Sequence, residues 1–237
     1  MKPSPDTAGY RLAVSLRGQF VRPVDALWLG AAAPATPVLL AGGQRLLVLC
    51  NGYPKADSLY RNTFVHQRVL EYKRQGVRVD VVSVNAEANP GSYEFEGVLV
   101  QECSPATLAA TLSASRYEAI AVHFLDASLW AAMRAAVGQA RIVVWLHGSD
   151  IQPWTRRRFN YRTEEECEQA RLASDERMAF WRGLLTSQEG ERIHLVFVSR
   201  TFAEETWEDL GFRLPDERWS VIPNPINTDL FAYVPKP

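Results

Sequence analysis

Cysteine is scarce: three residues, Cys50, Cys103 and Cys167, are scattered through 237 positions. That spacing excludes a C-x-x-C redox pair, a zinc cluster and a disulfide framework. The three are expected as reduced thiols packed like small hydrophobes, as in a cytosolic protein. An excess of one charge is also missing, since 26 Lys and Arg stand against 27 Asp and Glu for a net charge of −1. Nothing global therefore draws the chain to nucleic acid or to an anionic membrane. The opening MKPSPDTAGY lacks the apolar run of a signal peptide, and no charge-free apolar stretch is long enough to span a bilayer. Long internal repeats and low-complexity runs are absent.

Several catalytic signatures are absent too. The first apolar strand is followed by NGYPKADS, not by G-x-G-x-x-G or G-x-x-x-x-G-K-[ST], which argues against a self-contained dinucleotide site or P-loop. There is no G-x-S-x-G elbow to present a nucleophile. No H-E-x-x-H motif or Cys/His cluster suggests a metal.

What is present is an ordinary globular composition, 47% hydrophobic and 22% charged, in a length that suits one large α/β domain with an added segment. Residues 1–43 carry no motif and read as an N-terminal extension or arm. From residue 44 short Val/Ile/Leu-rich runs alternate with helical patterns: RLLVLCN (45–51), a helix over 62–76 closed by Gly76, VRVDVVSV (77–84), a polar loop, and GVLVQEC (97–103). A helix over 105–115, YEAIAVHF (117–124), a helix over 126–138 and RIVVWLHG (141–148) follow. An irregular segment over 149–162, a long helix over 163–186, IHLVFVS (193–199), a helix over 201–211 and WSVI complete the pattern. Tight hairpin signals are missing. This alternation predicts a doubly wound, Rossmann-like parallel sheet with right-handed crossovers.

In such a sheet ligands gather outside the carboxyl ends of the strands. Two of the four histidines, His123 and His147, fall at strand ends and are candidate site residues; His66, inside a helix, and His194, starting a strand, read as structural. Ser149 and Asp150 follow His147 and serve either as ligand contacts or as turn and cap residues. The segment IQPWTRRRFNYRT is basic and aromatic. It reads first as a solvated, mobile loop. As a second reading, Trp154, Arg156, Arg157 and Arg158 would grip a lipid-linked phosphate or rest on an anionic membrane.

Four stretches occur in order: LLVLCNGYPKADSLYRNTFVHQRVLEYKRQGVRVDVVSV, VVWLHGSD, VFVSRTFAEET and VIPNPINTDLF. Together they resemble the N-terminal, acceptor-side domain of a family-4 retaining glycosyltransferase of the GT-B fold, over about residues 44–231. Many members have glycines in the first loop; here that stretch offers Gly52 and, near the helix start, Asn62. The resemblance implies that IPN leads toward a donor-binding domain carrying paired glutamates and a nucleotide pocket, so that residues 232–237 begin a crossover and this chain is one inactive half of a two-domain enzyme. It implies a nucleotide-diphosphate sugar as donor, no tightly bound cofactor or required metal, and a glycan or lipid-linked acceptor of the kind used in surface polysaccharides. It assigns His147 to the donor sugar or its phosphates and His123 to the lining of the acceptor cleft. It makes Gly52, Tyr53, Asn62, Gly148, Ser149, Asp150, Ser199, Arg200 and Asn224 candidates for donor or acceptor contact. The expected location is the cytoplasm, with peripheral contact at the inner membrane face. A sugar-nucleotide epimerase half and a non-catalytic glycan-binding module are the alternatives.

Overall fold

The computed structural model describes residues 45–85, 91–113, 117–138 and 140–227. The arm expected over 1–43 and the crossover start expected over 232–237 lie outside the described residues. The elements are β1 (Arg45–Cys50), α1 (Thr63–Arg74), β2 (Arg78–Val84), β3 (Gly91–Phe95), β4 (Val98–Cys103), α2 (Pro105–Ser113) and β5 (Ala119–His123). They continue with α3 (Ala127–Met133), β6 (Arg141–Leu146), α4 (Glu164–Thr186), β7 (Ile193–Phe197), α5 (Arg200–Leu210) and β8 (Trp219–Val221).

The strands form one eight-stranded sheet in the order β3-β4-β2-β1-β5-β6-β7-β8. All neighbours run parallel except β3 and β4. The apolar runs of β1, β5 and β6 are buried on both faces, as parallel strands between helix layers must be. Alternate residues supply two cores. Leu47, Leu49, Ile120, Val122, Val144 and Leu146 meet the apolar faces of α2 to α5. Leu46, Val48, Ala121, Val143 and Trp145 share the other core with Val65, Val69 and Tyr72 of α1. Handedness explains this division. The chain steps from β1 to β2 in one direction and from β4 through β8 in the other, so right-handed crossovers put α1 on one face and the later helices on the opposite face. The reversal lies between β1 and β5, the place where open parallel sheets form their ligand crevice at the carboxyl ends.

The expected doubly wound sheet is therefore present, with two corrections. Gly91–Phe95, read as polar loop, is an edge strand antiparallel to β4. Its two-residue turn, Glu96 (φ 45°) and Gly97 (φ 72°), has the left-handed backbone that tight hairpins need. The strand was hidden because an edge strand buries little: Tyr93 and Phe95 alternate with Ser92 and Glu94, but over five residues and only half-buried. Second, the helix expected over 126–138 stops at Met133, with turns up to Gly138.

The longest helix is divided in character. Thr163 and Glu166 close a capping box at its start, and Glu164, Glu165 and Glu166 suit the positive end of the helix dipole. Its first part is polar and largely exposed. From Ser174 onward a stripe of Ser174, Met178, Trp181, Leu184 and Leu185 is buried against the sheet. Trp181 has no exposed surface and its indole N–H donates to the Asp150 carbonyl at 2.6 Å. We expect Trp181→Phe to keep the packing but leave that carbonyl without its donor, lowering unfolding free energy by about 1–3 kcal/mol. Urea denaturation checks this, and a variant as stable as the wild type would show that the bond carries nothing.

Candidate functional site

The crevice is walled on one side by the loop after β1. Arg61 donates through Nη2 to the Asn51 carbonyl at 3.0 Å. Asn62 donates through Nδ2 to Asn51 Oδ1 at 3.1 Å and to the Gly52 carbonyl at 2.9 Å. Asn62 sits at φ 53°, ψ 39°, a left-handed conformation that asparagine tolerates and that starts α1 abruptly at the crevice. The Arg61 side chain packs over Gly52: a Cβ there would lie 2.0 Å from Arg61 Nε and would push that side chain aside. Tyr53, expected as a ligand contact, is fully buried, and its hydroxyl lies 2.7 Å from His66 Nδ1. It braces the loop instead. His66, read as structural, completes that brace through Nε2, 2.9 Å from Glu96 Oε2 at the hairpin tip.

The floor of the crevice is a histidine pair. β5 and β6 are in register with His123 opposite Trp145, so the next residue on the same face of β6 is His147. His123 Nδ1 and His147 Nε2 are 3.0 Å apart, with nearly parallel rings. His123 also stacks on Trp145 at 5.8 Å. Phe64 from the first turn of α1 and Phe124 after β5 lie 4.6 and 4.7 Å from the His147 ring, between centroids. Phe124 adopts φ 59°, which is strained for an aromatic residue and turns its ring onto His147. Burial holds His147 down at about 3, with the Arg68 guanidinium adding to the effect, so the ring is neutral near pH 7. His123 is held well below its ordinary value by burial, then by His147 and Arg68. This corrects the expectation that His123 lines the cleft: it has no exposed surface and meets the crevice only through His147.

Asp150 shapes the turn that carries His147. Its carboxylate accepts the N–H groups of His147 at 3.0 Å and Gly148 at 2.8 Å. Gly148 takes φ 111°, open to glycine, and its carbonyl receives the N–H of Ile151 and Gln152. Burial pushes the Asp150 carboxyl up to about 6 against the pull of these amide donors. Of the two open roles for Asp150, the structure selects the turn-forming one, since the carboxylate faces its own backbone. Ser149 is exposed beside it. On the adjoining strand ends, Ser199 caps α5 by accepting the Phe202 N–H at 3.1 Å, and Arg200 is exposed. The segment after β8 docks through the Ile222 N–H on the Phe197 carbonyl at 2.8 Å, and Asn224 follows, with Oδ1 buried and unpartnered among the described residues.

The basic segment differs from expectation. Trp154–Asn160 forms two short 3-10 turns that meet at a kink at Arg157, and is not a mobile loop. The Trp154 N–H donates to Ser174 Oγ at 2.9 Å. Arg156 bonds Asp209 at 3.1 Å and Glu208 at 2.9 Å on α5, and both raise its affinity for the proton. It is therefore committed to carboxylates and is not available to an anionic surface. Arg158 closes on the Tyr161 carbonyl, and among the basic and aromatic residues of Trp154–Asn160 the exposed ones are Arg158 and Phe159. Sequence reasoning missed Phe64, Phe124 and Arg68 as neighbours of the pair. Only the aromatic residue directly after His123 could have signalled it. Among the described residues, no group of three or more His, Cys, Asp or Glu gathers as a metal site, and no helix is long and apolar enough to cross a membrane.

With this geometry in place, the sequence matches Glycosyltransferase Family 4 over residues 62–230. The chain belongs to glycosyltransferase family 4. The membership expected from the four motifs is thus borne out. No curated protein matches the chain. Among solved structures, this family-4 chain is similar to one described as "Trehalose-6-phosphate from E. coli bound with UDP-2-fluoro glucose", at 13% identity over 80% of this chain and 50% of that one, TM-score 0.46. It is similar to "OtsA apo structure" at 13% identity, 80% and 51% coverage and TM-score 0.47. It is also similar to an alpha,alpha-trehalose-phosphate synthase (UDP-forming) from Burkholderia vietnamiensis at 15% identity, 70% and 42% coverage and TM-score 0.38. The chain spans about half the length of the first of these structures.

The buried histidines of this family-4 domain carry a pH signature. His123, His147 and His194 are each depressed by burial, His147 to about 3 and His194 to about 4. The unfolded chain binds protons below 6.5 that the folded chain refuses, so their contribution is complete above that pH and is lost as pH falls toward 3. Asp150 acts oppositely: its raised value favours the folded state below 3.8 and loses that benefit as pH rises to about 6. Three groups outweigh one. Unfolding free energy measured by denaturant should fall from pH 7 toward pH 4, with a limit of about 1.4 kcal/mol per pH unit for each histidine. A flat profile would mean that the histidines titrate normally.

Proposed function

We propose that this chain is the acceptor-binding half of a retaining GT-B glycosyltransferase that moves a hexosyl group from a nucleotide-diphosphate sugar to a glycan or lipid-linked acceptor. One observation carries the reading within the family assignment. A neutral His147, held by His123 and two aromatic rings, stands at the crevice where the strand order reverses.

Transfer with retention passes through an oxocarbenium-like sugar and expels a diphosphate. Catalysis then rests on orientation and on stabilising charge at the leaving group. A neutral imidazole suits contact with a sugar hydroxyl, because it hydrogen-bonds without adding a cation beside an electron-poor anomeric carbon. The diphosphate fits the start of α1, where no acidic side chain occupies the first turn and the helix dipole favours an anion. Ser149, Ser199 and Arg200 are the exposed side chains placed to meet acceptor or donor from the neighbouring strand ends. A second, donor-binding domain would close this crevice and supply the nucleotide pocket. We place the enzyme in the cytoplasm, with peripheral contact to an anionic membrane made through Arg157, Arg158 and exposed Phe159.

The 237-residue chain alone should transfer no sugar from a panel of nucleotide sugars, because half the site is elsewhere. In the protein joined to its donor-binding domain, His147→Ala should lower kcat by about a hundredfold or more, the usual loss for one preorganised hydrogen bond made in a closed site. It also leaves His123 Nδ1 buried without a partner, so stability should fall by about 1–3 kcal/mol. Steady-state kinetics on folded protein decide the matter. Full turnover by the variant, or robust turnover by the single chain, would sink the proposal.

A further inference from the structure

Arg68 lies on α1 one turn beyond Phe64 and therefore on the same side of the helix. Its side chain is only 6% exposed. Its partners are unusual for a buried cation. The guanidinium carbon is 3.5 Å from the centroid of the Trp145 ring. Nη2 donates to the Pro223 carbonyl at 3.2 Å, and the Tyr72 hydroxyl lies beside the group. Nε has no acceptor among the described residues. None of these partners is a carboxylate. Burying a charge without a counter-charge is unfavourable, and an apolar side chain of similar volume would suit a helix core position better. The return must lie in what the charge faces.

It reaches the histidine pair through one ring. Arg68 covers Trp145, Trp145 stacks on His123, and His123 bonds His147. The charged and titratable groups around the pair are Arg68 from α1, Asp150 from the β6 turn, and each histidine for the other. Asp150 spends its carboxylate on backbone N–H groups, which leaves Arg68 as the charge the rings meet from the helix side. The same guanidinium grips the segment that leaves β8.

We propose that Arg68 is the positioning residue of the site: its buried guanidinium, laid on Trp145 and anchored to Pro223, holds the Trp145–His123–His147 stack in place and, on top of burial, opposes a proton that would break the bond between the two rings. This rests on the assignment of His147 to sugar transfer. Arg68 itself touches no reacting atom. Burial is the main reason the rings refuse a proton, and the guanidinium one ring away adds to it. A neutral pair holds one proton in its shared bond, and Nδ1 of His147 is buried and unpartnered among the described residues, so a substrate hydroxyl that displaces the Phe64 or Phe124 ring meets an uncommitted nitrogen.

Histidine-ring NMR titration of the 237-residue chain tests this without any transfer assay. The wild type is compared with Arg68→Met and Arg68→Gln, which remove the charge, and with Arg68→Lys, which keeps it. In the neutral variants the acid-side onset or midpoint for His123 and His147 should move up by about one pH unit or more, while Arg68→Lys should follow the wild type. Unchanged titration in a folded neutral variant overturns the proposal. So does loss of the folded state in both neutral variants, since the charge would then serve the fold and not the pair. Because the readout is the titration of this chain, its failure is separable from failure of the transferase reading, which His147→Ala decides by kinetics.

Discussion

One register governs the site. His123 of β5 stands opposite Trp145 of β6, and the twofold period of a strand then places His147 next on the same face. A shift by one residue would turn every one of these rings to the opposite core. A slip would carry Trp145 from the core shared with α1 into the one beneath the later helices. The hydrogen bond between the two imidazoles is thus a consequence of sheet packing, and the crevice chemistry follows from it.

Around that pair the structure accepts several locally unfavourable arrangements. Phe124 lies at positive φ, Arg68 is a buried cation without a carboxylate, and Asp150 is a buried carboxylate turned onto its own backbone. Each is offset by specific contacts: a ring on His147, an indole face, a set of amide donors. Concentration of such features at strand ends, with unstrained apolar packing in the strands themselves, is what a site built onto a rigid sheet looks like.

The far side of the sheet behaves differently. There Arg156 binds carboxylates of α5, and Trp181 holds the Asp150 carbonyl, so the segment after His147 is tied to two helices. Movement of those helices would be felt at the histidine turn through these bonds. The hairpin of β3 and β4 reaches the β1 loop through Glu96, His66 and Tyr53 in the same manner. Both sides of the crevice are therefore buttressed from elements distant in sequence.

Much of this was legible in the chain itself. Parallel strands reveal themselves because burial on both faces demands continuous apolar runs, and RLLVLC, AIAVH and RIVVWL are such runs; the strand-end positions of His123 and His147 followed directly. The edge strand Gly91–Phe95 was missed because its signal is short: one alternation of Tyr93 and Phe95 with Ser92 and Glu94, half-buried and set by pairing with β4. The same holds for the site's finer roles. Tyr53, Asp150 and Arg156 are polar groups whose partners lie far off in sequence or in their own backbone, and only packing decides whether such a group faces solvent, a ligand or another part of the chain. Local pattern determined which residues reach the carboxyl edge of the sheet. Tertiary structure decided which of them look outward, because burial, register and charge neighbours arise only when separate elements meet.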